Sequence, residues 1–287
     1  EKFNHFLPNA LGIKPIIEYM VTNPEVLWWS MAIFTIVEGI VGLLLMFGFF
    51  TRLMSIGVFG LAMGILLGSG WIGTTCLDEW QIGILGLAGG FTLFFTGSGQ
   101  YSIDNWLMKR KDALSQQKWF PWLASGALPL TKNQLSKSFI TGALIIFSIS
   151  LYTNQVFHGG LWGPLHNKSV KPKIELSELQ LQDDVLSFQV YRVEGVDVYG
   201  SFLIGIEVIN QQGNSIYALD GADLAQFPNS QISNDYIAQV KSGKHSLIIP
   251  LGAKATINLQ SPKFQDLTNG AYKVKLTDIS GAEWILE

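Results

Sequence analysis

The chain has 287 residues, enough for two domains at roughly 100–200 residues each, and a formal net charge of -3. This charge gives no sign of nucleic-acid binding, for which a basic footprint is expected. Its single cysteine, Cys76, excludes an intrachain disulfide framework and a cysteine-cluster metal site.

The halves differ in composition. Leu, Ile, Gly, Phe and Trp dominate up to about Leu165, and alternating segments with ordinary polar content follow. The opening EKFNHF has no initiator Met and lacks the basic region and apolar core of a signal peptide. Four later stretches meet the demand of a bilayer-spanning helix for roughly 20 mostly apolar residues. They are residues 28–50, which carry Glu38, residues 53–72, residues 80–97 and residues 139–157. Gly57, Gly60, Gly64 and Gly68 in the second, and Gly83, Gly86, Gly89 and Gly90 in the third, have the spacing that lets membrane helices approach closely. Trp28, Trp29, Trp71, Trp80 and Trp106 fall near span ends, as interfacial anchors do.

The connection after the third span carries Lys109, Arg110, Lys111, Lys118, Lys132 and Lys137, so it is expected on the cytoplasmic side. By alternation Arg52 falls on that same side, and the connection 71–79 faces outward. Within the basic loop, KWFPWLASGALPL is expected on the membrane surface. The last span then delivers everything after about residue 158 to the outer compartment. From Lys173 the period becomes two, in IELSELQLQ, VLSFQVYRV, YGSFLIGIEVI, HSLIIPL, AKATINLQ and AYKVKLTDI. With turn signals at QQGN, SGKH, TNG and ISG, these predict an antiparallel all-β sandwich of immunoglobulin-like type. His245 stands beside a strand start with no evident partner.

The run EGIVGLLLMFGFFTRL, residues 38–53, resembles the second helix and turn of the DoxX/DoxD membrane family. GSGWIGTTCLDEWQIGILGLAGGFTLFFTGSGQYSIDNW, residues 68–106, resembles DoxD more closely, the membrane-embedded subunit of thiosulfate:quinone oxidoreductase. Residues 138–287 have the layout of its partner DoxA, one membrane helix followed by an extracytoplasmic domain. The resemblance implies a four-helix membrane bundle whose first helix precedes EKFNHFLPN, plus one further membrane helix and the exported β domain. The expected organisation is a bundle over 1–108, a cytoplasmic or interfacial loop over 109–137, a membrane helix over 138–158 and a β-sandwich over 159–287. The implied location is a bacterial or archaeal cytoplasmic (inner) membrane.

The implied reaction joins two thiosulfates into tetrathionate and passes electrons to membrane quinone. A Cys76 thiolate is placed to form a bond with the outer sulfur of thiosulfate, or it is a small packing residue near a helix end. Asp78 and Glu79 oppose a thiolate and a dianion; they pair with cations, carry protons, or introduce a helix N-terminus. Glu38, about ten residues into a span, relays protons or pairs with Arg52 or the preceding helix. Lys14, His5, Trp71, Trp80 and His158 are the candidate substrate-binding residues, with Lys2 and His166 as further outer-face cations. Trp28, Trp29, Trp71 and Trp80 line a cleft or serve only as anchors. No flavin, haem or metal motif is visible. Membrane lipid, thiosulfate and quinone are the implied partners, in a homo-oligomer or a larger membrane complex. The reading from another class is a non-catalytic membrane protein, either a sulfur-compound transporter or an assembly module whose β domain binds a partner.

Overall fold

The computed structural model of the protein describes residues 2–73, 79–195, 202–265, 267 and 272–287. The chain divides into two compact units, Glu1–Pro24 with Asn167–Glu287, and Glu25–His166. A 3₁₀ helix, Lys2–Asn9, and helix α1, Lys14–Thr22, precede the helical unit.

The helical unit contains α2 (Pro24–Met46), α3 (Thr51–Ser69), α4 (Glu79–Thr96), α5 (Ile103–Arg110), α6 (Phe120–Leu123) and α7 (Lys132–His158). Among the described residues α2, α3 and α7 are long and apolar enough to cross a membrane. The third predicted span forms α4, which is not among them; its first turn holds Glu79 and Gln81. Helix starts follow local chemistry. Pro24 opens α2 with its ring pre-set for the first turn, and Glu25 complements the helix dipole. Thr131 and Gln134 form a capping box on α7, with the Thr131 N–H donating to Gln134 Oε1 at 2.9 Å. Only Val41 of α2 is buried, and Trp28, Ile33, Ile36, Ile40 and Leu43 project outward. An apolar outward face of this kind is matched to lipid.

Helix α4 lies against α3 at glycines. A Cβ on Gly86 would stand 2.6 Å from the Ala62 Cβ, and one on Gly83 would stand 2.8 Å from the Leu66 Cβ. Ala62, Leu66 and Leu87 are buried there. The expected close packing therefore holds at positions 57, 83, 86 and 90, whereas Gly60, Gly64 and Gly89 have no neighbour within 4 Å at the Cβ position.

The end of the unit where α3 begins is held by two buried charges. Asp104, fully buried at the start of α5, accepts from the Phe50 N–H (2.8 Å), the Thr51 N–H (3.0 Å), Thr51 Oγ1 (2.8 Å) and Ser125 Oγ (3.0 Å). It thus caps α3, where a negative charge meets the positive end of the helix dipole. Arg52, 4% exposed, donates Nε to the Phe94 carbonyl (2.8 Å), Nη1 to those of Pro121 (2.9 Å) and Ala124 (3.3 Å), and Nη2 to that of Gly126 (2.6 Å). The segment 119–126 is thereby tied into the unit, with Phe120 and Ala124 buried while Trp119 and Trp122 stay half exposed.

The second unit contains an antiparallel four-stranded sheet, in the order β1 (Lys173–Gln182), β2 (Val185–Glu194), β8 (Lys254–Gln260), β5 (Ile232–Asn234). The other sheet runs β10 (Glu283–Leu286), β9 (Tyr272–Asp278), β3 (Phe202–Asn210), β7 (Leu247–Ile248), β6 (Lys241–Ser242), with β4 (Ser215–Asp220) also paired to β3. Strand β9 alternates strictly between buried and half-buried residues, as a strand with one covered face must. One core joins the sheets: Leu186, Phe188 and Val190 of β2 cluster with Ile206, Val208, Val274 and Leu276.

Residues 2–24 pack on this β unit. Leu7, Ile17 and Val21 are buried with Tyr236, and Tyr191 is packed against them.

Candidate functional site

The end of the helical unit opposite Arg52 and Asp104 gathers several of the residues singled out by sequence. There α3 ends at Ser69–Gly70, α4 starts at Glu79 and α7 finishes at His158. Trp71 is fully buried, so it is a core residue and not an exposed anchor. Trp80 donates its indole N–H to Thr153 Oγ1 at 2.9 Å, and Thr153 is itself buried. His158 Nε2 lies 3.1 Å from the Gly70 carbonyl. A carbonyl only accepts, so this nitrogen carries the proton. The Trp80 and His158 rings meet edge to face at 6.4 Å. The close seat of α7 on the α3 end shows at Gly70, where a Cβ would stand 3.0 Å from the Phe157 ring.

These contacts make an aromatic wall from the end of α3, the start of α4 and the end of α7. Cys76 and Asp78 fall in residues 74–78, outside the described residues. Glu79, half-buried in the first turn of α4, makes no ion pair among the described residues. Glu38 is exposed on α2, likewise without an ion pair among the described residues. Arg52, a candidate partner for Glu38, is occupied by the four carbonyls instead.

Lys14 and His5 lie in the β unit. His5 is half-buried in the 3₁₀ helix Lys2–Asn9. Lys14, exposed at the start of α1, approaches the Pro8 carbonyl at 3.4 Å, and its Nζ stands 6.0 Å from the centre of the Tyr191 ring. The structure thus brings Trp71, Trp80 and His158 together in one unit and carries His5 and Lys14 in the other.

Beside Lys14 the Tyr236 hydroxyl donates to Glu18 Oε1 at 2.6 Å. Burial, reinforced by that hydrogen bond and the Glu18 charge, pushes the Tyr236 phenol well above its ordinary range. Tyr191 is pushed up too, by burial first and then by the charges of Glu18 and Glu175. Its hydroxyl oxygen is buried with no hydrogen-bond partner among the described residues. Sequence reasoning missed Asp104, Thr153, Tyr191, Tyr236 and Glu18. Only the single acid of α5 following a Ser N-cap, in SIDNW, offered a local signal for any of them.

Clefts among the described residues of the helical unit include two of note. One, of about 110 Å³, is lined by Ser55, Ile56 and Phe59 of α3 and Gly90, Phe91 and Phe94 of α4. The other, of about 180 Å³, includes Gly48, Thr51, Ser98 and Ser102 near the Asp104 cap. Among the described residues no group of three or more His, Cys, Asp or Glu is placed to hold a metal ion.

Residues 1–131 match the family model described as TQO small subunit DoxD, and residues 157–287 match the one described as TQO small subunit DoxA. No solved structure matches the chain. The chain is therefore a fusion of a DoxD-family domain with a DoxA-family domain, an oxidoreductase-like protein of the thiosulfate:quinone oxidoreductase kind.

Proposed function

We propose that the protein oxidises thiosulfate to tetrathionate at the outer face of a bacterial or archaeal cytoplasmic membrane and delivers the electrons to membrane quinone. The observation that carries this reading is the presence of both family domains in one chain. The β unit is read as an extracytoplasmic, immunoglobulin-like sandwich; its two antiparallel sheets around one core support that reading. The basic residues of the loop after α4 support the orientation. The protein works as a homo-oligomer or within a larger membrane complex.

In the proposed cycle Cys76 reacts as a thiolate. A sulfur–sulfur bond forms between it and the outer sulfur of one thiosulfate, the two electrons released pass to quinone, and quinone takes up two protons from water to give quinol. A second thiosulfate attacks that same outer sulfur, tetrathionate departs, and the Cys76 thiolate returns. Trp80 and His158 bound the substrate position on the helical unit, supported by the buried Trp71, while Lys14 and His5 are cations that the β unit offers to a dianion. Glu38 carries protons toward quinone, while Asp78 and Glu79 hold or pass protons. The apolar cleft between α3 and α4 suits a polyprenyl tail far better than a dianion.

The test is purified full-length protein in detergent, supplied with thiosulfate and a soluble quinone analogue. Quinone reduction with tetrathionate formed in equal amount is expected, and Cys76→Ser should abolish it. No reduction by the unaltered chain would sink the enzyme reading. Unchanged turnover in Cys76→Ser would remove the covalent route alone. Uptake of labelled thiosulfate by proteoliposomes without redox change would put a transporter in its place.

A further inference from the structure

The DoxD-family match begins at residue 1, yet residues 1–24 fold with the DoxA-family residues and not with the helical unit. Their contacts have the make-up of a specific protein–protein interface, an apolar centre with a polar surround. At the centre, Leu7, Ile17 and Val21 are 0–2% exposed against Tyr236 and Tyr191. Around it, Asn4 Nδ2 donates to the Gly252 carbonyl (2.5 Å), and Asn9 Nδ2 donates to that of Val193 (2.9 Å). Lys168 Nζ donates to Asn9 Oδ1 (3.0 Å), the Ile237 N–H to the Val21 carbonyl (3.3 Å), and Tyr236 to Glu18.

The receiving surface is shaped for this segment. Gly252 has φ +76°, a conformation that disfavours side chains, and a Cβ there would strike the backbone carbonyl of Asn4. A free β domain would leave apolar Tyr191 and Tyr236 faces, and the backbone groups at 193, 237 and 252, without these partners.

We propose that residues 2–24 are the docking element by which a DoxD domain holds a DoxA domain. The β domain recognises this segment as it would a separate polypeptide, so the two family domains stay associated when the covalent connection between them is cut. The proposal is independent of the enzymatic reading, because its readout is association.

A flexible spacer carrying a site-specific protease sequence, inserted after Leu165 of the full chain, provides the test. Membranes are treated with the protease, diluted and sedimented. The severed β domain of the unaltered protein is expected to sediment with the membranes, and that of Leu7→Asp to be lost to the supernatant. Release of the unaltered domain would overturn the proposal, as would equal retention in Leu7→Asp. Should Leu7→Asp fail to accumulate, the milder pair Asn9→Ala with Glu18→Ala decides. It removes polar ties and leaves the apolar centre, so faster loss from the membranes supports the proposal and unaltered retention refutes it.

Discussion

Replacing Asp104 by Asn changes one atom of a buried carboxylate that accepts four hydrogen bonds. The three bonds to Oδ2 come from Thr51 N–H, Thr51 Oγ1 and Ser125 Oγ, and the one to Oδ1 from the Phe50 N–H. The amide oxygen keeps most partners at the Oδ2 position, which sets the amide NH₂ against the Phe50 N–H, donor against donor. An unpaired buried donor costs ~1–3 kcal/mol, and the bonds that remain lose the assistance of the charge. The α3 dipole also loses a buried countercharge, at ~0.3–2 kcal/mol. Together these predict a loss of roughly 3–5 kcal/mol. At about 2–4 °C per kcal/mol, the apparent midpoint falls by roughly 6–20 °C. Fluorescence-detected thermal unfolding in detergent measures it. The 19 residues of α3 put roughly 28 Å between this cap and Trp71. Turnover per folded molecule should therefore hold steady. A midpoint within about 2 °C of the unaltered protein would refute the assigned hydrogen-bond roles.

Thr153→Val removes the acceptor of the Trp80 indole. It should destabilise by ~1–3 kcal/mol and raise the KM for thiosulfate more than it lowers kcat; unchanged Tm and KM would dissociate Trp80 from the site. Gly86→Leu should sharply reduce the yield of monodisperse protein in size-exclusion chromatography, because its Cβ meets Ala62 at 2.6 Å. Gly60→Leu, with nothing within 4 Å, should not. The raised Tyr191 and Tyr236 carry a pH dependence outside the membrane. Their stabilisation is complete below the ordinary phenol value of about 10 and is lost as pH rises above it, because the unfolded chain ionises first. Each tyrosine contributes a slope of about 1.4 kcal/mol per pH unit in that window. Thermal midpoints of the β unit between about pH 9 and 12 should fall, and more gently in Tyr236→Phe; parallel profiles would refute the Tyr236 assignment.

The strands most legible in the sequence were those with sustained alternation. VLSFQVYRV, AKATINLQ and AYKVKLTDI became β2, β8 and β9 with small shifts at their ends. In HSLIIPL, Leu247–Ile248 alone pairs among the described residues, although Ile249 and Leu251 are buried beyond it. Strands β5 and β6, of three and two residues, are too short to establish a period. Of the candidate site, Trp71, Trp80 and His158 were recognisable from their positions at span ends, but their contacts were not. Burial and hydrogen bonding make these three one wall, and those are properties of three helices packing together.

Local pattern by itself determined the apolar helices and the alternating strands, because hydropathy and side-chain period depend on neighbours in the chain. The tertiary structure alone decided which carbonyls receive Arg52, 42 to 74 residues distant in the chain. It also set Leu7, Ile17 and Val21 against Tyr236, more than two hundred residues further on. An apolar face states that it must be covered. Which distant surface covers it follows only from shape and from the pairing of buried polar groups, neither of which the order of residues displays.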